Sequence, residues 1–177
     1  MAQWNRTDRM LYAKLVYYGP ALGGKTTNLR VLHNVTDPSE KERLVSVNTA
    51  DDRTLFFDLL PFDLGSVLGY KVALKLYTVP GQVRYDATRR VVLAGADAVV
   101  FVADSDPTRE RDNRQAWDNL QKSMQATRLD PAAVPILVQF NKRDLPNAAS
   151  REAMEAWFGL APGRCVPAVA CEGKGVL

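Results

Sequence analysis

Gly19-Pro20-Ala21-Leu22-Gly23-Gly24-Lys25-Thr26 places glycines, a lysine and a hydroxyl at the spacing G-x-x-x-x-G-K-[ST]. The motif follows the apolar run Leu15-Val16-Tyr17-Tyr18 and precedes a helical stretch reaching Leu32. Glycines at such a strand-to-helix turn let backbone N–H groups point inward around phosphates, and the helix N-terminus adds its dipole. Lys25 is expected to reach the β and γ phosphates and Thr26 to hold Mg²⁺. The phosphate-binding set is Gly19, Leu22, Gly23, Gly24, Lys25, Thr26 and Thr27.

A phosphate loop alone does not choose the base, so kinases and ATPases remain open at this point. Asn141-Lys142-Arg143-Asp144 adds a base-reading candidate. It follows the apolar run Ile136-Leu137-Val138-Gln139-Phe140, at the C-terminal edge of a strand, where open α/β sheets bind ligands.

The elements that must position these motifs alternate between β-branched or aromatic runs and helical patterns, the signature of an α/β fold with helices on both faces of a mostly parallel sheet. Six strands are expected, at Ala13–Tyr18, Arg53–Leu60, Tyr70–Thr78, Asp97–Ala103, Val134–Phe140 and Cys165–Ala170. Only Pro61 to Gly69 separates the second from the third, so that pair should form an antiparallel hairpin. Asp106 before Pro107 reads as an N-cap and first helical proline, with Trp117, Leu120 and Met124 on one helical face. Ser150 caps a further helix that buries Met154 and Trp157 or Phe158 and stops at Gly159.

The two motifs, in this order, resemble the Ras-like small GTPase superfamily, a P-loop G domain. The resemblance implies that Asp144 accepts hydrogen bonds from the guanine ring N1–H and amine, a pair adenine does not offer, while Asn141 and Lys142 brace the loop. Val169-Ala170-Cys171 stands at the family's S-A-K element, making the Ala170 N–H a donor to the guanine carbonyl. Pro80-Gly81-Gln82 stands where the Gly81 N–H would sense the γ phosphate and Gln82 would orient the attacking water. The family form is D-x-x-G-Q; this chain has Thr78 at the aspartate, leaving Asp52 or Asp58 as an alternative carboxylate near Mg²⁺.

Thr78, Pro80 and the segment Asp51-Asp52-Arg53-Thr54-Leu55-Phe56-Phe57-Asp58 are similar to the bacterial gliding-motility MglA family over nearly the whole chain. This implies that Thr54 coordinates Mg²⁺ and meets the γ phosphate, and that Arg53 is an arginine finger supplied in cis, with such fingers contributing about 10³ to 10⁵ in rate. Switch segments are then Thr36 to Phe57 and Pro80 to Leu93. An MglB-type Roadblock/LC7 activator, effector proteins and a role in cell polarity or gliding motility are implied in the same way. Such a domain continues past the Ala170 region into a final helix, whereas this sequence stops at Leu177, so one G domain over 1–177 without its last helix is expected.

Composition sets the class. The 177 residues suit one domain, with 46% apolar and 24% charged residues, close to the average of soluble chains. The longest apolar region, Val91 to Ala103, is interrupted by Asp97 and is short of the roughly 20 residues a spanning helix needs. Neither a signal-peptide core nor a lipidation motif is present at the ends. Cys165 and Cys171 lack zinc spacing and are read as reduced thiols of a cytoplasmic protein. Net charge is +3 with basic residues spread among acids, which implies no nucleic-acid partner.

His33 reads as a packing or surface residue, and Tyr17, Tyr18, Trp117 and Trp157 as core or sheet-facing aromatics rather than a stacking platform. Arg84, Tyr85, Arg89 and Arg90 read as a charged surface helix or a partner contact. Two further readings accompany the hydrolysing switch: a GTP-bound scaffold with little intrinsic hydrolysis because Thr78 weakens the metal site, and an ATP-using phosphoryl transferase, which Asn141, Lys142 and Asp144 disfavour.

Overall fold

The computed structural model describes residues 3–5, 9–35, 45–48, 54–67, 69–81, 86–130 and 132–176. Its strands are β1 (Gln3–Asn5), β2 (Met10–Tyr18), β3 (Val45–Asn48), β4 (Thr54–Val67), β5 (Tyr70–Thr78), β6 (Ala98–Asp104), β7 (Ile136–Asn141) and β8 (Cys165–Pro167). Its helices are α1 (Lys25–Val35), α2 (Asp86–Leu93), α3 (Glu110–Ala126) and α4 (Arg151–Phe158). The strands form one sheet in the order β3-β4-β5-β2-β6-β7-β8. β2, β5, β6, β7 and β8 pair in parallel, and β4 returns antiparallel beside β5.

All six anticipated strands are present, joined by two short ones. β1 pairs antiparallel with Met10 to Tyr12, along the side of β2 that β6 takes over from Leu15 onward. β3 pairs antiparallel with β4. The hairpin is longer than the sequence suggested, because the stretch Pro61 to Gly69 is mostly strand: Pro61 pairs with Lys75, Phe62 with Leu74 and Val67 with Tyr70. Pro61 stands in β4 opposite Lys75, beyond Leu59, the last β4 residue paired with the described part of β3. The strand at Cys165 is also shorter than expected, since Ala170 opens a 3₁₀ turn, Ala170–Glu172.

Alternation along the central strands builds two cores. Val16, Tyr18, Val99, Phe101 and Ala103 face α2, α3 and α4, meeting Leu93, Leu120, Met124, Met154 and Phe158. Tyr17, Leu76, Val100 and Val102 face α1 and meet Leu29 and Leu32. Each such side chain contributes about 1.5–3 kcal/mol on burial. Burial also pushes the Tyr17 phenol up to about 12. Phe101 lies edge-on to Trp117 at 4.9 Å and to Phe158 at 5.4 Å, confirming these aromatics as core.

The helix ends follow the sequence signals. The Asp106 carboxylate accepts from the Thr108 N–H at 2.9 Å, and the 3₁₀ turn Pro107–Arg109 leads into α3. Ser150 Oγ accepts from the Ala153 N–H at 3.1 Å, and Gly159 closes α4 at φ 64°. The two N-caps, Asp106 and Ser150, follow the C-terminal ends of β6 and β7, the edge of the sheet that carries both motifs.

Candidate nucleotide-binding site

The phosphate motif wraps the gap between β2 and α1. The Lys25 ammonium is buried and donates to the carbonyls of Gly19 at 3.1 Å and Pro20 at 2.7 Å, so the loop's own backbone aims it into the turn. Thr26 and Thr27 occupy the first turn of α1 and are half-buried. Leu22 sits at φ 61°, a left-handed conformation unusual for a branched residue, and is 62% exposed. Arg109, from the turn before α3, donates to the Ala21 carbonyl at 2.9 Å and pairs with Asp112 at 2.6 Å.

The base motif is tied directly to this loop. Asn141 ends β7 and is 3% exposed. Its Nδ2 donates to the Gly23 carbonyl at 2.9 Å, and its Oδ1 accepts from the Ala170 N–H at 2.9 Å. One side chain thus joins three segments distant in sequence: phosphate loop, base loop and the turn after β8. Gly24 stands at φ 103°, and a Cβ there would overlap the Asn141 amide, so glycine is required by both conformation and contact. Here the Ala170 N–H, expected to face the base carbonyl, serves the asparagine.

Lys142 follows at φ 64° and places its ammonium 2.6 Å from Oδ2 of Asp104. Asp104 ends β6 and is 1% exposed. Its backbone is bracketed by Asn113, which accepts from the Asp104 N–H at 2.9 Å and donates to its carbonyl at 2.8 Å. Arg143 fastens the loop from the other side: its N–H donates to the Ala168 carbonyl at 3.1 Å and its guanidinium to the Ala149 carbonyl at 2.6 Å. Asp144 is then left exposed at the rim.

Asp104, Asn113, Arg109 and Arg143 were not picked out from the sequence. An acid closing a central strand at its C-terminal edge was the available signal for Asp104. The others bond backbone carbonyls or a strand end that no motif marks.

On the γ-phosphate side, Thr78 ends β5, fully buried and paired with Tyr17. Gly81 lies against the phosphate loop so closely that a Cβ would overlap backbone atoms of Pro20 and Ala21. Thr54 is the first residue of β4, opposite Asn48, and Asp58 lies opposite Ser46. Arg53, Asp52, Gln82, Arg84 and Tyr85 lie outside the described residues.

Behind Gly81, α2 is held by a polar cluster rather than standing as a charged surface helix. Arg89, expected to be exposed, is 1% exposed and lies 5.9 Å over the Tyr18 ring; Arg90 remains exposed. Tyr18 donates to Asn119 Oδ1, and Asn119 Nδ2 donates to Asp86 at 3.0 Å. Asp86 also pairs with Arg90 and, at 3.7 Å, with Arg89. The Asn119 hydrogen bond is the largest influence holding the Asp86 carboxyl below its ordinary range. Tyr18 immediately precedes Gly19, so this cluster links α2 to the phosphate loop.

No cluster of three His, Cys, Asp or Glu side chains able to hold a metal occurs among the described residues. At a phosphate loop, Mg²⁺ takes most of its oxygens from the nucleotide and water, and the protein adds one or two hard donors. Thr26, half-buried in the first turn of α1 beside the inward-facing Lys25, carries a hydroxyl, the kind of hard oxygen that Mg²⁺ takes. No described helix is long and apolar enough to cross a membrane.

Residues 13–165 match the ADP-ribosylation factor family. The chain is 49% identical over 150 residues to the mutual gliding-motility protein MglA of Myxococcus xanthus, covering 85% of this chain and 77% of that protein. It is 27% identical over 149 residues to the small COPII coat GTPase SAR1 of Giardia intestinalis, covering 84% and 67%. A lysine-centred phosphate loop, bound through an asparagine to an N-K-x-D loop on a mostly parallel sheet, agrees with both matches: the chain belongs to the Arf/Ras-like small GTPases and, among them, to the MglA family.

Proposed function

We propose that the chain is a GTP-hydrolysing switch of the cytoplasm, one G domain over residues 1–177, whose GTP and GDP states select different partners. The observation that supports this is the Asn141 bridge, a direct tie between the N-K-x-D loop and the phosphate loop, near enough for one nucleotide to span both. Asp144 reads the guanine edge, a carboxylate that would be desolvated without partners against adenine. The ammonium of Lys25, already inside the loop, neutralises charge on the β and γ phosphates. Gly81 senses the γ phosphate through its N–H, Gln82 orients the attacking water and Arg53 stabilises charge on the transferring group. Thr26 and Thr54 are the donors to Mg²⁺, which when bound neutralises charge across the β and γ oxygens.

The name of the M. xanthus relative motivates a role in gliding motility, and with it in cell polarity. An MglB-type Roadblock/LC7 protein is the proposed activator; it acts by helping to place Arg53 and Gln82, so intrinsic turnover is slow. Thr78, buried where a carboxylate would stand, favours a second reading: a GTP-held scaffold with little hydrolysis.

The deciding experiment is GTP turnover with Mg²⁺ for the chain, Arg53→Ala and Gln82→Leu, each with and without the Roadblock/LC7 protein. Stimulated turnover that falls by about 10³-fold or more in Arg53→Ala supports the switch. GTP that stays bound and intact throughout establishes the scaffold.

A further inference from the structure

Beneath the groove, two amides lie where α1 and the sheet otherwise meet through Leu29, Leu32, Val100 and Val102. Asn28 is fully buried and Gln139 is 3% exposed. Gln139 Nε2 donates to Asn28 Oδ1 at 2.9 Å and to the Gly175 carbonyl at 2.8 Å. Asn28 Nδ2 donates to the Gly24 carbonyl at 2.9 Å, which also receives the Asn28 backbone N–H at 3.0 Å. Gln139 Oε1 is buried and accepts from no described group. An apolar pair of similar volume would carry no such desolvated acceptor, so packing energy alone does not account for the amides.

Placement does. Gln139 and Asn141 lie two residues apart on β7 and so share a face of the sheet. Asn141 reaches the Gly23 carbonyl in one direction and the Ala170 N–H in the other. Gln139 reaches the next carbonyl, Gly24, through Asn28, and the Gly175 carbonyl in the other direction. Two ties from one strand therefore hold consecutive peptides of the phosphate loop, and both are anchored in the segment after β8.

We propose that Asn28 and Gln139 are positioning residues that couple the phosphate loop to the guanine loop, so that filling one half of the groove raises the affinity of the other. The inference rests on the nucleotide-binding reading above. Coupling of this kind amounts to about five- to 150-fold in affinity, and neither residue touches the nucleotide itself.

The test uses GDP, guanosine and inorganic pyrophosphate as probes on the full chain, Asn28→Leu, Gln139→Leu and the double variant. Each single variant should melt lower, because it leaves a buried amide without its partner. The double variant should recover melting temperature yet bind GDP about tenfold more weakly. In the unaltered chain guanosine should raise pyrophosphate affinity, and in the double variant it should not.

GDP affinity that follows melting temperature through the whole series would overturn the inference. A second measurement needs no variant: guanosine alone should slow amide exchange at Gly23 to Asn28 by about fivefold or more, and unchanged exchange there overturns it. Failure of the unaltered chain to bind GDP at all removes the underlying reading and the inference with it.

Discussion

The two ends of the nucleotide groove are built on different principles. At the base end, side chains make the ties: Asn141 to backbone groups of Gly23 and Ala170, Arg143 to the Ala149 carbonyl, Lys142 to the buried Asp104 carboxylate. At the γ-phosphate end, two backbones touch directly, Gly81 against Pro20 and Ala21, with no side chain between them. Long side-chain ties fix a geometry regardless of what is bound. A backbone contact without a side chain can be displaced by a few atoms of ligand. On the proposed function, recognition of the diphosphate and base would fall to the first end, and discrimination of triphosphate from diphosphate to the second.

The sharpest way to break this division is Asn141→Ala. It removes two buried hydrogen bonds and separates three segments, so GDP affinity should fall by about a hundredfold or more, measured by displacement of a fluorescent guanine nucleotide. A loss below about threefold would show that the ties merely decorate a loop that holds itself. Gly81→Ala should act in the opposite way. The added methyl must push the γ side away from Ala21, so GTP turnover should fall by about ten- to a hundredfold, while GDP affinity changes by less than about threefold. Equal losses of GDP affinity and turnover would erase the contrast between the two ends.

The smallest effect concerns the anchor of α2. Asp86 titrates below its unfolded value, so its ties are fully present above about pH 3.9 and are lost as pH falls through the depressed native value. Urea unfolding between about pH 5 and 3 should show an acid-induced loss of stability that Asp86→Asn reduces by less than about 1 kcal/mol. An unchanged acid limb in that variant would remove Asp86 from the anchor.

How far the site could be read from sequence follows the same division. The phosphate and base motifs were legible because each needs fixed residue types at fixed spacing within a few positions. The partners that aim them were not, because Asp104 lies 38 residues from Lys142 and Asn28 lies 111 from Gln139. Nothing local marks such pairs. Alternation and capping residues located every anticipated strand and helix, whereas Pro61 masked the extension of β4 by imitating a turn. Arg89 was misread for a related reason: charge among charged neighbours signals solvent, and only the fold supplies the Tyr18 ring and Asp86 that surround it.

Pro61 has a second consequence. Past Leu59, no described strand pairs with β4 on the side away from β5, and wherever a strand edge is open its row of N–H and C=O groups invites another chain to add a strand. A proline brings no N–H donor to either side of the strand, and the irregular register between Asp63 and Ser66 bends it. A valine in place of Pro61 would give the strand back its N–H, so the residue that obscured the strand in the sequence is also one that works against edge-to-edge association of folded molecules.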